Sequence, residues 1–320
     1  MRAMSSGSGR RTLWVLIGLG FVLSFVAGFL TYRARLHAYA KPLIAYARGD
    51  TGGCSLSQAY SALSTSEFES VQARLRNSSQ VVDQTPDGFS CVRTEQGTFW
   101  VPPGNDLAFV LAEQAVRIYG DGEHRVQPGD TVLDCGANIG AFTREALNAG
   151  AGLVLAIEPV PAHVEALHRT FKAEIDQGRV QVIAKGVWNK EDTLEMNLFE
   201  NALLDSFVMA QRPEERQAKR RVALPLTTID RIVDELALPR IDFIKMDIEG
   251  AERQALEGSR RTIARFKPRM SIATENLPDD YSTLPDVITA IEPTYQWTSG
   301  PCTFEGRFTI RPETLYFRAR

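Results

Sequence analysis

The stretch DTVLDCGANIGAFT, residues 130–143, decides the fold, because an apolar run ends there in an acid and then in a turn that contains glycine. A short apolar run bounded by turn residues is typical of a buried strand, and the following AFTREALNA has helical spacing. Gly136 and Gly140 permit a tight turn and the close approach of a ligand to the backbone. Asn138 tolerates unusual backbone angles. The stretch predicts a strand, a turn suited to a nucleotide-like cofactor, and a helix.

Downstream of this stretch, strand and helix patterns alternate. The predicted strands are TVLD, LVLAIE, VQVIAKGV, DFIKMD and RMSIATE, and then TYQWT and ETLYFRA. The predicted helices are AFTREALNA, PAHVEALHRTFKAEI, GAERQALEG and Leu284–Ile291. Such alternation predicts a Rossmann-like α/β fold with a doubly wound, mainly parallel sheet. A loop without an obvious helix joins the last two strands, so we expect them to pair antiparallel.

Five segments make up the predicted organisation of the chain. They are an N-terminal tail (1–11), a transmembrane helix (12–32), a juxtamembrane linker with a helix (33–80), a hairpin with a helix (81–125) and the α/β domain (126–320). Helical spacing places the linker helix within Ser55–Arg76 and a second helix at Leu107–Tyr119. Alternation in FSCVR and TFWV predicts the hairpin, which we assign to the catalytic domain.

The transmembrane helix is predicted from residues 12–32, a run of 21 residues without a charge. As a helix it spans about 31 Å, the thickness of the hydrocarbon core of a bilayer. Trp14 and Tyr32 lie near its two ends, where interfacial aromatics are common. A cleaved signal peptide is the alternative, but the A-x-A site at residues 38–40 lies beyond two arginines and the run is long for a signal. We therefore expect an uncleaved anchor, whose orientation the flanking arginines do not determine.

Small residues stand four apart within the predicted anchor, at Gly20, Ser24 and Gly28. They allow two such helices to pack closely, so a homodimer is left open, although small residues are common in membrane helices. The net charge of −3 and the pI of about 5.9 provide no basic field, which excludes nucleic acid as an expected partner.

The four cysteines and four histidines do not predict a metal site. The sequence has no Cys-x-x-Cys motif and no histidine-rich cluster, so a zinc site is not expected. We expect free thiols at Cys54 and Cys91, although these two could pair in an oxidising compartment. His163 and His168 are predicted to lie on the surface of their helix.

Two predicted strands end in an acid, Asp134 and Glu158, at the edge of the sheet where such folds bind ligands. A carboxylate at the end of the second strand can accept hydrogen bonds from ribose hydroxyls. The glycines follow Gly-x-x-x-Gly and not Gly-x-Gly-x-x-Gly, so the close approach to a pyrophosphate is missing. Asp134 would repel phosphate and suits a sulfonium and an amino group. The pattern favours S-adenosylmethionine over a nicotinamide cofactor and an oxidoreductase.

Several motifs together resemble the FkbM family of S-adenosylmethionine-dependent methyltransferases. These are VLDCGANIGAFT at 132–143, the acid-proline pair at 158–159, Thr-Ile-Asp at 228–230 and KMDIEGAE at 245–252. The resemblance covers about residues 126–320 and implies O-methylation of a sugar or another hydroxyl-bearing acceptor. The expected partner is therefore a small-molecule or glycan acceptor. The sequence SIATEN at 271–276 departs from the His-containing stretch of many relatives. A non-catalytic, membrane-tethered cofactor-binding module is a further alternative.

The predicted cofactor wall combines the glycine turn with the two acids and two residues after the third strand. Its members are Asp134, Gly136, Asn138, Gly140, Glu158, Trp188 and Asn189. Trp188 and Asn189 are placed to cover an adenine, although packing is the commoner role of such a tryptophan. S-adenosylmethionine is made in the cytosol, so we expect the catalytic domain to face the cytosol.

The predicted acceptor side lies at the end of the fourth strand. Lys245, Asp247 and Glu249 alternate along an extended chain and share one face. Asp247 is a candidate base, orienting group or, with Glu275, metal ligand, and we predict no metal. Lys245 either lowers the pKa of a substrate hydroxyl or forms a structural ion pair. The polar segment 201–221 is predicted to be a lid or a solvated loop.

Overall fold

The computed structural model describes residues 39–64, 66–198, 206–207 and 220–320. The predicted tail and transmembrane helix (1–32) and most of the polar segment 201–221 lie outside these residues. Within the described part of the chain, no helix is both long enough and apolar enough to cross a membrane.

The described residues contain eleven α-helices and sixteen strands. The helices are α1 (39–48), α2 (Leu56–Ser61), α3 (Ser66–Ser78), α4 (Leu107–Ala115), α5 (Ala141–Asn148), α6 (Pro161–Thr170), α7 (Lys172–Asp176), α8 (Ile229–Glu235), α9 (Glu252–Glu257), α10 (Arg260–Phe266) and α11 (Asp280–Ile291). The strands are β1 (Gln80–Gln84), β2 (Ser90–Thr94), β3 (Gly97–Val101), β4 (Thr131–Cys135), β5 (Leu153–Ile157), β6 (Val180–Ile183), β7 (Gly186–Val187), β8 (Asp192–Leu198), β9 (Ser206–Phe207), β10 (Arg220–Thr227), β11 (Phe243–Met246), β12 (Arg269–Ala273), β13 (Tyr295–Ser299), β14 (Cys302–Glu305), β15 (Thr309–Pro312) and β16 (Thr314–Ala319).

A seven-stranded sheet with the order β13-β16-β12-β11-β4-β5-β6 forms the centre of the α/β domain. Strands β6, β5, β4, β11 and β12 run parallel, whereas β16 pairs antiparallel with both of its neighbours. The predicted mainly parallel sheet and the antiparallel pairing of the last two strands are therefore confirmed. Burial of every residue of β4 explains its continuous apolar pattern.

The predicted third strand is divided between two sheets. Its first part, β6, is the edge strand of the central sheet, and the Lys185 amide then bonds to the Ile183 carbonyl and turns the chain. Its second part, β7, pairs parallel with β10 in a four-stranded sheet of order β7-β10-β8-β9. Periodicity could not separate the two parts, because both are short and partly or fully buried.

The predicted helix PAHVEALHRTFKAEI is also divided, into α6 and α7, at Phe171. This residue has φ −106° and ψ 21°, and its side chain is fully buried. An ideal Cβ on Gly140 would lie 2.3 Å from the Phe171 ring, so the ring packs directly against the glycine turn. The break therefore lies where the helix contacts the turn after β4.

The N-terminal sheet of the catalytic domain contains the predicted hairpin, formed by β2 and β3, with β1 added at its edge. Strand β1 is exposed along its whole length, so it lacks the alternation that would have predicted it. Leu75, Phe99 and Leu111 share a core cluster with Ile139 and Ala166. This cluster joins the sheet, α3 and α4 to the helices beside the glycine turn.

A disulfide joins Cys54 to Cys302, 248 residues apart in sequence. Both the expected free thiol at Cys54 and its alternative pairing with Cys91 are therefore wrong. Cys91 lies on β2 with a free, buried thiol, whose pKa burial raises. The sequence could not show this pairing, because it depends on the hairpin of β14 and β15 folding back onto the segment that precedes α2.

Candidate active site

The acidic ends of neighbouring strands meet at one edge of the central sheet. Lys245 on β11 pairs in register with Asp134 on β4, and the Asp247 amide bonds to the Cys135 carbonyl. The Gly136 amide bonds in turn to the Ile157 carbonyl, just before Glu158. Because parallel strands end at the same edge, the structure brings the predicted residues after β4, β5 and β11 together.

Asp134 lies in a fully buried ion pair. Thr143 Oγ1 donates to Asp134 Oδ2 at 2.6 Å, and Lys245 Nζ lies 3.5 Å from Asp134 Oδ1. The same Nζ donates to the Gly136 carbonyl at 2.8 Å. Burial opposes the charge of Lys245, but Asp134 and Asp247 hold its pKa above the ordinary value. Lys245 therefore balances the charge of Asp134, and the expectation that this acid presents an unpaired negative charge beside the turn is wrong.

The turn after β4 has the backbone that its sequence predicts. Gly136, Asn138 and Gly140 all have positive φ, at 78°, 50° and 90°. A Cβ on Gly136 would lie 1.9 Å from the Asp247 carbonyl oxygen, and one on Gly140 would overlap the Phe171 ring. The glycines are required because protein atoms fill the space beside them, and their role in the approach of a ligand stays a prediction.

Glu158 is buried at the end of β5, and each of its carboxylate oxygens accepts one backbone hydrogen bond. The donors are the amides of Asn138 and Val160, both at 2.9 Å. His163 Nδ1 lies 3.5 Å from Glu158 Oε1. Burial opposes the charge, but His163 and the two amides together lower the pKa of Glu158, which is therefore ionised at neutral pH. A carboxylate has about four acceptor positions, so others remain for ligand hydroxyls.

His163 is buried, and the prediction that it lies on the surface is wrong. It shares the inner face of α6 with Ala166 and Leu167, a signal that the three- and four-residue spacing carried. Asn105 Nδ2 lies 3.2 Å from His163 Nε2 and also donates to Asn138 Oδ1 at 3.2 Å. Asn105 and His163 thus support the turn and Glu158, whereas His168 is exposed as predicted.

On the acceptor side, Tyr119 contacts Asp247. Its hydroxyl donates to Asp247 Oδ2 at 2.6 Å, and Lys245 Nζ lies 5.0 Å from the centre of its ring. Burial and the charges of Asp247 and Glu113 raise the pKa of Tyr119, so the hydroxyl keeps its proton. Sequence reasoning missed Tyr119, because it was assigned to the end of a helix that stops at Ala115.

A cavity of about 430 Å³ lies beside Tyr119, which forms part of its wall. Four acids line it, Glu67, Glu113, Glu275 and Glu313, together with the rings of Phe68 and Phe109. Burial and the charges of Asp247 and Glu275 raise the pKa of Glu113. Glu275 thus belongs to an acidic wall, and its proposed action together with Asp247 stays a prediction. Among the described residues, no group of three or more histidines, cysteines and acids could hold a metal ion.

Trp188 and Asn189 lie against the segment that follows β11. Trp188 belongs to the main hydrophobic core, and its carbonyl oxygen lies 2.0 Å from an ideal Cβ on Gly258. Asn189 is exposed, and its Nδ2 donates to Gln254 Oε1 at 2.6 Å. The structure thus gives Trp188 a packing role, and contact of either residue with an adenine stays a prediction.

Glu252, in the block IEGAE, is buried close to Asp247. Its Oε1 accepts from the Ile248 amide at 2.9 Å and from Asn276 Nδ2 at 3.1 Å, while its buried Oε2 has no hydrogen-bond partner among the described residues. Burial, with the charge of Asp247, raises the pKa of Glu252 to about 8. Glu252 is therefore mostly protonated at neutral pH, and it must lose this proton within the core as the pH rises.

Glu252→Gln is expected to reduce the loss of stability that the wild type shows as the pH rises from about 5 to about 8. A carboxyl whose pKa is higher in the folded than in the unfolded chain binds more protons when folded, so wild-type stability falls between about pH 5 and pH 8. The free energy of unfolding of the variant should rise by about 4 kcal/mol relative to that of the wild type over this range. Urea unfolding at several pH values measures this difference in the free energy of unfolding. Glu257→Gln, exposed on the same helix, is the control, and equal slopes for wild type and Glu252→Gln would contradict the prediction.

Comparisons with solved structures find similar chains among methyltransferases. Methyltransferase FkbM from Methylobacillus flagellatus KT is 21% identical with a TM-score of 0.44, over 66% of this chain and 54% of that one. Precorrin-6y C5,15-methyltransferase from Geobacter metallireducens GS-15 is 11% identical with a TM-score of 0.37, over 64% and 83%. Trm5b from Pyrococcus abyssi is 13% identical with a TM-score of 0.36, over 75% and 56%.

The match to the Methylobacillus protein thus spans about half of that protein's length. No curated protein sequence matches the chain. The family model of the methyltransferase FkbM domain matches residues 134–296, about half of the chain, from the acid at the end of β4 to β13. This match includes the glycine turn, Glu158 and the block after β11. The chain therefore belongs to the FkbM methyltransferase family.

Proposed function

We propose that the protein transfers a methyl group from S-adenosylmethionine to an oxygen atom of a sugar or another hydroxyl-bearing acceptor. Family membership supports methyl transfer and disfavours the nicotinamide-dependent alternative. The observation that carries the cofactor assignment is the ionised carboxylate of Glu158, held by two backbone amides at the end of β5. A fixed carboxylate in this position suits the two hydroxyls of a ribose.

The residues at the strand ends fit such a cofactor. Glu158 would hold the ribose, and the turn at Asn138, whose amide and side chain are both fixed, would support the nucleoside. Asp134 and Lys245 lie behind the turn and keep it in place through the Gly136 carbonyl. When bound, the cofactor supplies a methyl group on a positively charged sulfur. The chain's own residues have to orient the acceptor and remove its proton.

Asp247 is the group that we propose to hold the acceptor hydroxyl. Its Oδ2 is fixed by the Tyr119 hydroxyl, and its Oδ1 can accept the proton of the acceptor. The acids of the adjoining cavity, Glu67, Glu113, Glu275 and Glu313, supply further hydrogen-bond acceptors for hydroxyl groups. So many hydrogen-bond acceptors suit a methyl acceptor with several hydroxyls, either a small molecule or a glycan.

The proposal extends to a membrane anchor at residues 12–32, with the catalytic domain facing the cytosol, where the cofactor is made. The Cys54–Cys302 disulfide opposes a cytosolic location, because disulfides are rare in reducing compartments. Protease digestion of the full chain in sealed membrane vesicles of known orientation tests the proposal. Protection of the catalytic domain in right-side-out vesicles supports a cytosolic location, and its digestion there contradicts it.

Glu158→Gln is expected to weaken binding of S-adenosylhomocysteine at least tenfold. In the variant a neutral amide would replace the carboxylate. The cofactor would then lose a hydrogen bond to a charged group, which is worth about 1.5–3 kcal/mol. Isothermal titration calorimetry on the purified chain measures the affinity. Glu165→Gln, at an exposed position of the neighbouring helix α6, should bind like wild type. Unchanged affinity in Glu158→Gln, or binding of NAD in preference, would exclude the proposed cofactor site.

A further inference from the structure

Helix α1 has an exposed face without a charged residue. Tyr39, Leu43 and Tyr46 are 61%, 53% and 37% exposed, and Ala47 is exposed beside them. At 3.6 residues per turn these four positions fall within about 100° of the helix circumference. Three of the seven large apolar side chains that are exposed in the described residues therefore lie on one strip of a single helix.

The opposite side of α1 is fixed to the catalytic domain. Ala45 is fully buried in a cluster with Cys54, Cys302 and Ile310. Just after the helix, Asp50 forms an ion pair with Arg311 on β15 at 2.8 Å. The disulfide and this ion pair hold α1 in one orientation, so that Tyr39 and Leu43 point away from the domain. Tyr46 lies at the edge of this face, because its hydroxyl donates to the Cys54 carbonyl while part of its ring stays exposed.

The sequence before α1 indicates what covers this face. The uncharged segment 12–32 ends seven residues before Tyr39, and seven residues reach at most about 25 Å. A membrane anchor at 12–32 would thus keep α1 close to the bilayer surface. Tyrosines are common at this depth of a membrane, where their rings meet the headgroups.

We infer that the face of α1 formed by Tyr39, Leu43, Tyr46 and Ala47 rests on the lipid surface and sets the orientation of the catalytic domain on the membrane. The inference depends on the proposed anchor at 12–32. A helix that lies in the interface on its apolar face is a recognised mode of membrane contact. The rigid attachment of α1 to β14 and β15 would transmit this orientation to the acceptor cavity, whose wall includes Cys302 and Thr303.

The test uses the full chain in vesicles of three parts phosphatidylcholine to one part phosphatidylglycerol. Leu43→Trp is made in a Trp14→Phe background, and its fluorescence is compared in vesicles with and without acyl-chain bromine, which quenches nearby tryptophan. We expect at least twofold quenching of the added emission. Arg48→Trp, on the far side of the same exposed helix, is the matched control and should be quenched much less.

Three other outcomes would overturn the inference. If the chain floats with the vesicles but the tryptophan of the Leu43→Trp variant is not quenched, the anchor stands and the contact of α1 with lipid is wrong. If the emission of this added tryptophan is shifted to shorter wavelength without quenching, protein covers the face, either a second copy or another segment of this chain. If the chain does not float with the vesicles, the proposed anchor and this inference both fail.

Discussion

Asp247→Asn lowers the rate of methyl transfer by about 10²–10⁴, the range expected for loss of a general base, and leaves cofactor affinity within about twofold of wild type. Asparagine has the size of aspartate and can still accept the hydrogen bond of the Tyr119 hydroxyl. It cannot take a proton from the acceptor. The local structure should therefore remain, while the proposed chemical role of the carboxylate is lost.

The rate is measured as transfer of label from methyl-labelled S-adenosylmethionine into an acceptor fraction of cell extract. Calorimetry with S-adenosylhomocysteine reports cofactor affinity separately. Asp286→Asn, an exposed acid on α11, provides the control and should leave both quantities unchanged. A wild-type rate in Asp247→Asn would show that the acceptor side has been placed wrongly.

Lys245→Met is expected to lower the free energy of unfolding by about 3–5 kcal/mol, because it leaves a charge buried without its partner. Asp134 is fully buried, and apart from Lys245 its carboxylate receives a hydrogen bond from Thr143. Methionine fills a similar volume, so the loss should come from the uncompensated carboxylate and not from a cavity. Urea unfolding at neutral pH measures the change.

Two further variants separate this interpretation from a general packing effect. Adding Asp134→Asn to Lys245→Met should recover most of the loss, since neither charge of the pair is then present. Lys172→Met removes a lysine whose ion pair with Asp176 is largely exposed, so it should change stability by about 1 kcal/mol or less. A loss in Lys245→Met no larger than that in Lys172→Met would show that the pair contributes little.

The sequence predicted the central sheet well, because each of its strands is a short apolar run that local pattern reveals. Strands β4, β5, β11 and β12 lie where their runs predict them, and β16 is antiparallel as its connection indicates. The same reasoning located Asp134, Glu158 and Asp247, since the carboxyl ends of parallel strands must meet at one edge of the sheet.

Local pattern failed where a residue's partner comes from a distant part of the chain. Tyr119 lies in a turn after α4, and only the packing of that turn against β11 brings its hydroxyl to Asp247. The pairing of Cys54 with Cys302 likewise depends on contacts across 248 residues. His163 is an intermediate case, because its spacing on α6 indicated the buried face although its polarity suggested the surface.

By itself, the sequence determined the order of strands and helices, the glycine turn after β4 and the set of acids at the sheet edge, because these depend on residue type and short-range spacing. Only the tertiary structure decided what those acids do. In the folded chain, Lys245 balances the charge of Asp134, and Glu158 is ionised beside His163. Glu252 keeps its proton at neutral pH because it is buried in the core. Burial and the nearest charges set the protonation state of a carboxyl, and both are properties of the folded chain.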